Sequence, residues 1–102
     1  MQSKEAIYDE EIAPQLLALA KRCEELGISF VASVEYAQGE RGRTEAHMPD
    51  CGFAQQLVHW AARCHGNVDA LFMAVDKHGR KHGHRSIYLK LAGNDNVADD
   101  KA

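Results

Sequence analysis

The chain lacks any apolar run approaching the ~20 residues that a membrane span needs, and its opening, "MQSKEAIYDEE", is too polar for a secretory leader. A cytoplasmic protein is expected. Cysteine is scarce: Cys23, Cys51 and Cys64 are odd in number and widely spaced, which argues against a disulfide framework and for reduced thiols. CxxC and HExxH motifs are missing, as are helix-turn-helix, RNP and zinc-finger patterns. "GERG" lacks the strand-to-helix setting of a phosphate loop and reads as a hairpin turn. Acids are absent from residues 77 to 90, where Lys77, Arg80, Lys81, Arg85 and Lys90 fall.

What is present describes an ordinary globular protein. Hydrophobic residues make up 45% and charged residues 26% of 102 positions, neither disordered nor membrane-like. A chain this short buries only ~65% of the surface its unfolded form exposes, so pairing with a second copy would supplement a modest core. The net charge of −3 is uneven. Glu5, Asp9, Glu10, Glu11, Glu24 and Glu25 weigh on the first part, and "GNDNVADDKA" is acidic again. Such asymmetry suits a polar partner surface or a contact between copies.

Periodicity places the elements. Ser3 can cap a helix, and Tyr8, Ile12, Leu16, Leu19, Cys23 and Leu26 step by four and three along one face. The helix is expected over about 12–26, kinked by Pro14 and closed by Gly27. "ISFVASVEY" alternates with period two and predicts a strand over 28–36. "AQGERGR" is a polar turn, and residues 43–48 return either as a short strand or as loop. A second helical stretch follows, with Asp50 as cap and Phe53, Leu57, Trp60, Ala61 and Cys64 on one face. Asn67 caps the next helix, whose inner side is expected to hold Val68, Leu71, Phe72, Val75 and His78. In "RSIYLKLAG", Ile87, Leu89 and Leu91 alternate with polar neighbours and predict a final strand. The expected fold is a small single-domain α+β protein of order α-β-β-α-α-β, its helices on one face of a short antiparallel or mixed sheet. Residues 1–92 form the domain and 93–102 a flexible acidic tail. Three strands leave an exposed edge, which invites a homodimer by strand pairing.

Chemistry is sparse. His78 and His82 are four apart on a helix, the one spacing here that suits zinc, with His84, His59, Cys64 or His65 as conceivable additions. Without a second tight ligand pair the plainer reading holds: histidines at the negative end of a helix dipole, with no metal or other cofactor. Cys64 and His65 are adjacent and point apart; Cys51 with His47 completes no set of catalytic roles. No enzyme is expected. Trp60, beside His59 and Arg63, reads as core before interface anchor. The surfaces singled out for a partner are Lys77, Arg80, Lys81 and Arg85, and Glu35 with Arg41 and Arg43 around the hairpin. The same basic residues would serve a nucleic acid, against which stands an isoelectric point near 6.0.

The stretch "SKEAIYDEEIAPQLLALAKRCEELGISFVASVEY" resembles the openings of short proteins encoded in tailed-phage and prophage genomes, whose pattern runs KExIYDExIxPLL and then CxExGI. "LVHWAARCHGNVDALFMAV" and "HGHRSIYL" look like the later part of one such group, so the likeness reaches about residue 92. That resemblance brings no activity and no catalytic residue. It implies a setting: an accessory protein in the bacterial host cytoplasm that binds and modulates a host or phage protein. A nucleic-acid binder using residues 77–90 is the first alternative, and a zinc protein using His78 and His82 the second.

Overall fold

Ser3 caps the first helix, its Oγ accepting from the Ala6 N–H at 3.1 Å. Helix α1, Lys4–Ile7, runs without interruption through a π-helical turn, Tyr8–Ile12, into α2, Ala13–Leu26. Within that turn the Ala13 N–H reaches back five residues to the Tyr8 carbonyl. Pro14 is the local cause: it has no N–H, and its ring crowds the carbonyl of the preceding turn, so the widened turn gives it room. The wide turn also adds one residue to the register. The face turned inward therefore runs Tyr8, Ala13, Leu16, Ala20 and Cys23, and the expected members Ile12, Leu19 and Leu26 stand outward. Gly27, in the left-handed region (φ 72°), ends α2 as expected.

The computed structural model describes residues 2–98. The chain resolves into two compact units, Met1–His65 and Gly66–Ala102. In the first, β1 (Phe30–Ala37) and β2 (Glu40–Ala46) form an antiparallel hairpin, with Phe30 opposite Ala46 and Glu35 opposite Arg41. The pairing is irregular between Glu35 and Ala37. Residues 43–46 are thus strand, while 47 and 48 are not. The expected two-glycine turn is tighter than the sequence suggested. Gly39 makes the turn, whereas Gly42 lies inside β2 under the ring of Tyr8, where a Cβ would overlap the phenol.

Side chains alternate across a strand, and the hairpin is covered on both faces, not one. Gly42 and Tyr36 belong to the face that meets Tyr8, whose ring lies 5.3 Å from that of Tyr36; α2 packs chiefly on β2. On the opposite face, Glu45 and Arg41 meet α3, Phe53–Cys64. The reason is electrostatic: this polar face carries Arg41, Arg43 and Glu45, and α3 brings partners for Arg41 and Glu45. Gly52, rather than Asp50, occupies the N-cap of α3. Its buried residues are His59 and Ala62, so the inward face differs from the apolar stripe read from sequence.

In the second unit Asn67 caps α4, Val68–His82, accepting from the Ala70 N–H at 3.0 Å. Leu71, Val75 and His78 are half-buried, but Val68 and Phe72 are exposed. The expected last strand is instead a short helix, α5, Ile87–Leu91. Ser86 caps it, its Oγ accepting from the Leu89 N–H at 3.1 Å, and Leu89 is its buried anchor. Strand-like pairing survives only as an isolated parallel bridge between His84 and Val97. The sheet accordingly has two strands, not three, and the class remains α+β. Residues 93–98, expected as flexible tail, pack within this unit: Asn94 is fully buried, its amide donating to the Asp76 carbonyl (2.9 Å) and Oδ1 (3.0 Å). The rest of the expected tail lies outside the described residues. Among those described, no helix is long and apolar enough to cross a membrane.

Candidate interaction surfaces

The strongest polar cluster of the first unit is centred on Glu45. Its carboxylate accepts from Arg63 Nε at 3.1 and 3.2 Å and from Arg63 Nη2 and from His59 Nδ1 at 3.1 Å, and it forms an ion pair with Arg43, whose Nε lies 3.2 Å away. His59 is wholly buried, and Gln55 Nε2 approaches its other nitrogen at 3.2 Å. This pattern assigns the tautomer with hydrogen on Nδ1. The Arg63 hydrogen bonds, with those of His59 and the charge of Arg43, hold the Glu45 carboxyl below the usual carboxylate range against the opposing effect of burial.

His47 stacks on His59 with ring centres 4.6 Å apart. Its Nε2 donates to Gln56 Oε1 at 2.7 Å, and its Nδ1 accepts from Arg63 Nη2 at 3.3 Å. Cys51 Sγ lies 3.6 Å from the same Gln56 oxygen. Cys51 and His47 are thus brought together through an amide that both address, while both nitrogens of His47 are engaged. Such a network fixes α3 on the hairpin; it does not leave a poised base beside a thiol. His65, beside Cys64, takes the left-handed conformation (φ 52°) at the end of α3. Arg41 Nη2 joins that end to the hairpin, bonding the Ala62 carbonyl at 3.3 Å and His65 Nδ1 at 2.8 Å. Of the hairpin residues singled out from sequence, Arg41 and Arg43 are engaged within the unit. Glu35 is exposed, its carboxylate 3.4 Å from the Gly39 N–H at the turn. Trp60 is half-buried, its ring edge-on to Phe53 at 6.2 Å.

In the second unit "DKHGRKHGHRS" divides into two parts. Asp76 through His82 complete α4. Arg80 Nε bonds Asp76 Oδ2 at 2.9 Å, and this contact, with that of Asn94, holds the Asp76 carboxyl below its ordinary range. Lys77, Arg80 and Lys81 are exposed, as is Arg85 beyond the helix. His78 and His82 stack with centres 4.7 Å apart, and burial together with the neighbouring His82 lowers the His78 pKa. Among the described residues, no three His, Cys, Asp or Glu side chains cluster so as to hold a metal ion.

His84 is the buried histidine of this stretch. Its Nε2 donates to the Asn94 carbonyl at 2.8 Å, and its Nδ1 accepts from the Ser86 N–H at 2.9 Å. Gly79, in mid-helix, is what lets this part of the chain close on α4. A Cβ there would come within 3.1 Å of Asn94 Nδ2, 3.2 Å of His84 Cδ2 and 3.3 Å of Leu89 Cδ1. Replacing Asn94 by alanine removes one donor from Asp76, the acceptor of the Asn96 N–H, and a fully buried side chain. A loss of about 2 kcal/mol is expected, measured as faster hydrogen exchange in α4.

With Leu89 turned inward, α5 presents its other side chains to solvent. Ile87, Tyr88 and Leu91 are 76%, 80% and 78% exposed. A shallow groove beside them is lined by Arg85, Ser86, Ile87, Lys90 and Val97. Sequence reasoning missed this surface because alternation at Ile87, Leu89 and Leu91 was read as a strand. The signal that separates the readings is local: Ser86 in front as a cap, and Gly93 behind. Comparison with protein-family models, with curated proteins and with solved structures gives no match to the chain.

Proposed function

We propose that this protein acts by binding another protein, and that α5 with its flanking cations is the surface it uses. One observation carries the reading: three large apolar side chains stand out on a five-residue helix whose fourth apolar residue is its anchor. Clustered exposed apolar surface of this kind marks an interaction site. Arg85 and Lys90 line the groove beside it, and Lys77, Arg80 and Lys81 precede it in a stretch without acids, so the complementary partner is an acidic segment bearing apolar side chains. Cations at the rim speed its encounter and exclude basic competitors. The likeness to tailed-phage and prophage proteins supplies the setting of the proposal: a bacterial host cytoplasm, and a host or phage protein as target.

Selection of displayed peptides on the immobilised full chain tests this. Enrichment of Asp or Glu interspersed with Leu, Phe or Trp is expected. A basic consensus, or none, would overturn the reading.

A further inference from the structure

The first unit contains a second, independent surface, the open edge of β1. β2 occupies one side of β1, and among the described residues no other strand or backbone group pairs with the opposite side. Bare edges recruit further strands unless guarded, usually by charge or proline. β2 carries Glu40, Arg41, Arg43 and Glu45 and is the strand on which α2 chiefly packs. β1, "FVASVEYA", has Glu35 alone.

We infer that a second copy of this chain pairs with β1 in antiparallel fashion, with Ser33 on the two-fold axis, giving a continuous four-stranded sheet. The sequence of β1 is self-complementary about that residue. Ser33 lies within the regularly paired stretch Phe30–Glu35, and the irregularity that follows leaves Tyr36 without a partner on β2. Rotation about it sets Ala32 against Val34 of the second copy and Phe30 against its Tyr36. All four belong to the half-buried face on which Tyr8 sits, so the apolar layer extends across the junction. On the other face Ser33 meets Ser33 and Val31 meets Glu35. No like charges are opposed, and a two-residue side-chain period keeps every residue on its own face. The contact is isologous, as a two-fold dimer requires.

The test uses the full chain. Native mass spectrometry is expected to give twice the 11.3 kDa protomer mass. Ser33 is exposed, so Ser33→Lys should fold, checked by circular dichroism, yet put two ammonium groups face to face and yield monomer. Residues directly opposed in an antiparallel pair have Cα atoms about 4.5–5.5 Å apart, within reach of a disulfide. Ser33→Cys should therefore give a covalent dimer on oxidation. The unsubstituted chain, with Cys23, Cys51 and Cys64 half-buried, should not, and neither should Gln38→Cys at the turn. A monomeric unsubstituted chain, a dimer that survives Ser33→Lys, or cross-linking no faster at position 33 than at 38 would each overturn the inference.

Discussion

An alanine at position 42 is expected to destabilise the protein by about 3 kcal/mol, at the upper end of the usual cost of overpacking. The added methyl has nowhere to go, because the buried ring of Tyr8 lies directly over that backbone. Tyr8 cannot step aside cheaply. It begins the π-helical turn and packs on the ring of Tyr36. Native stabilities of small domains are of order 5–15 kcal/mol, so urea denaturation should show a large shift in midpoint. A double-mutant cycle identifies the cause. With Tyr8→Ala in place, itself costing about 3–5 kcal/mol, the further change Gly42→Ala should be nearly neutral. Equal costs in both backgrounds would place the strain elsewhere.

The second large effect concerns Glu45. Glu45→Ala removes the hydrogen-bond acceptor of Arg63 and His59 and the ion-pair partner of Arg43, leaving a wholly buried imidazole and two guanidinium groups without the carboxylate. His59 is buried but both arginines are more than a third exposed, so the loss is set mainly by the stranded imidazole and the half-buried charge pairs, about 2–3 kcal/mol. Glu45→Gln keeps an acceptor oxygen for His59 and should cost less. The linkage to pH has a definite sign. The folded-state pKa of Glu45 is depressed, so the unfolded chain binds more protons over the interval between the two values. The contribution of Glu45 is complete above the ordinary glutamate pKa of ~4.3 and is lost as pH falls through the lower folded value. Thermal midpoints should fall with pH in that acidic range, and less steeply in Glu45→Gln. An unchanged slope in the variant would show that other carboxylates govern acid unfolding.

These residues also show how far sequence alone reaches. The span of α2 follows from apolar spacing, but its buried face does not, because the widened turn at Tyr8–Ile12 moves the register by one residue. That widening comes from fitting Pro14 into a continuous helix instead of ending one. Gly39 and Gly42 look alike in "QGERG"; one serves a turn and the other a contact with Tyr8, distant in sequence. The same holds for Glu45, His59 and Arg63, whose partnership depends on α3 crossing the polar face of the hairpin, and no short-range spacing encodes that. Ile87, Leu89 and Leu91 satisfy both a strand and a short helix, and the capping of Ser86 decides between them. The basic stretch after residue 76 was legible as a surface; the apolar cluster on α5 beside it was not, since its exposure depends on Leu89 being the residue turned inward.

The most direct measurement of the binding account is an anisotropy titration of one labelled acidic, apolar peptide from the display selection, and of labelled duplex DNA, against the unsubstituted chain and Leu91→Glu. Leu91 is exposed, so the substitution should leave the fold intact. The account expects the peptide to bind and to lose about thirtyfold or more in affinity with Leu91→Glu, the scale of an interface hot spot, while duplex DNA binds weakly or not at all. Peptide binding indifferent to Leu91→Glu, or tighter binding of the DNA that falls steeply with added salt, would contradict it.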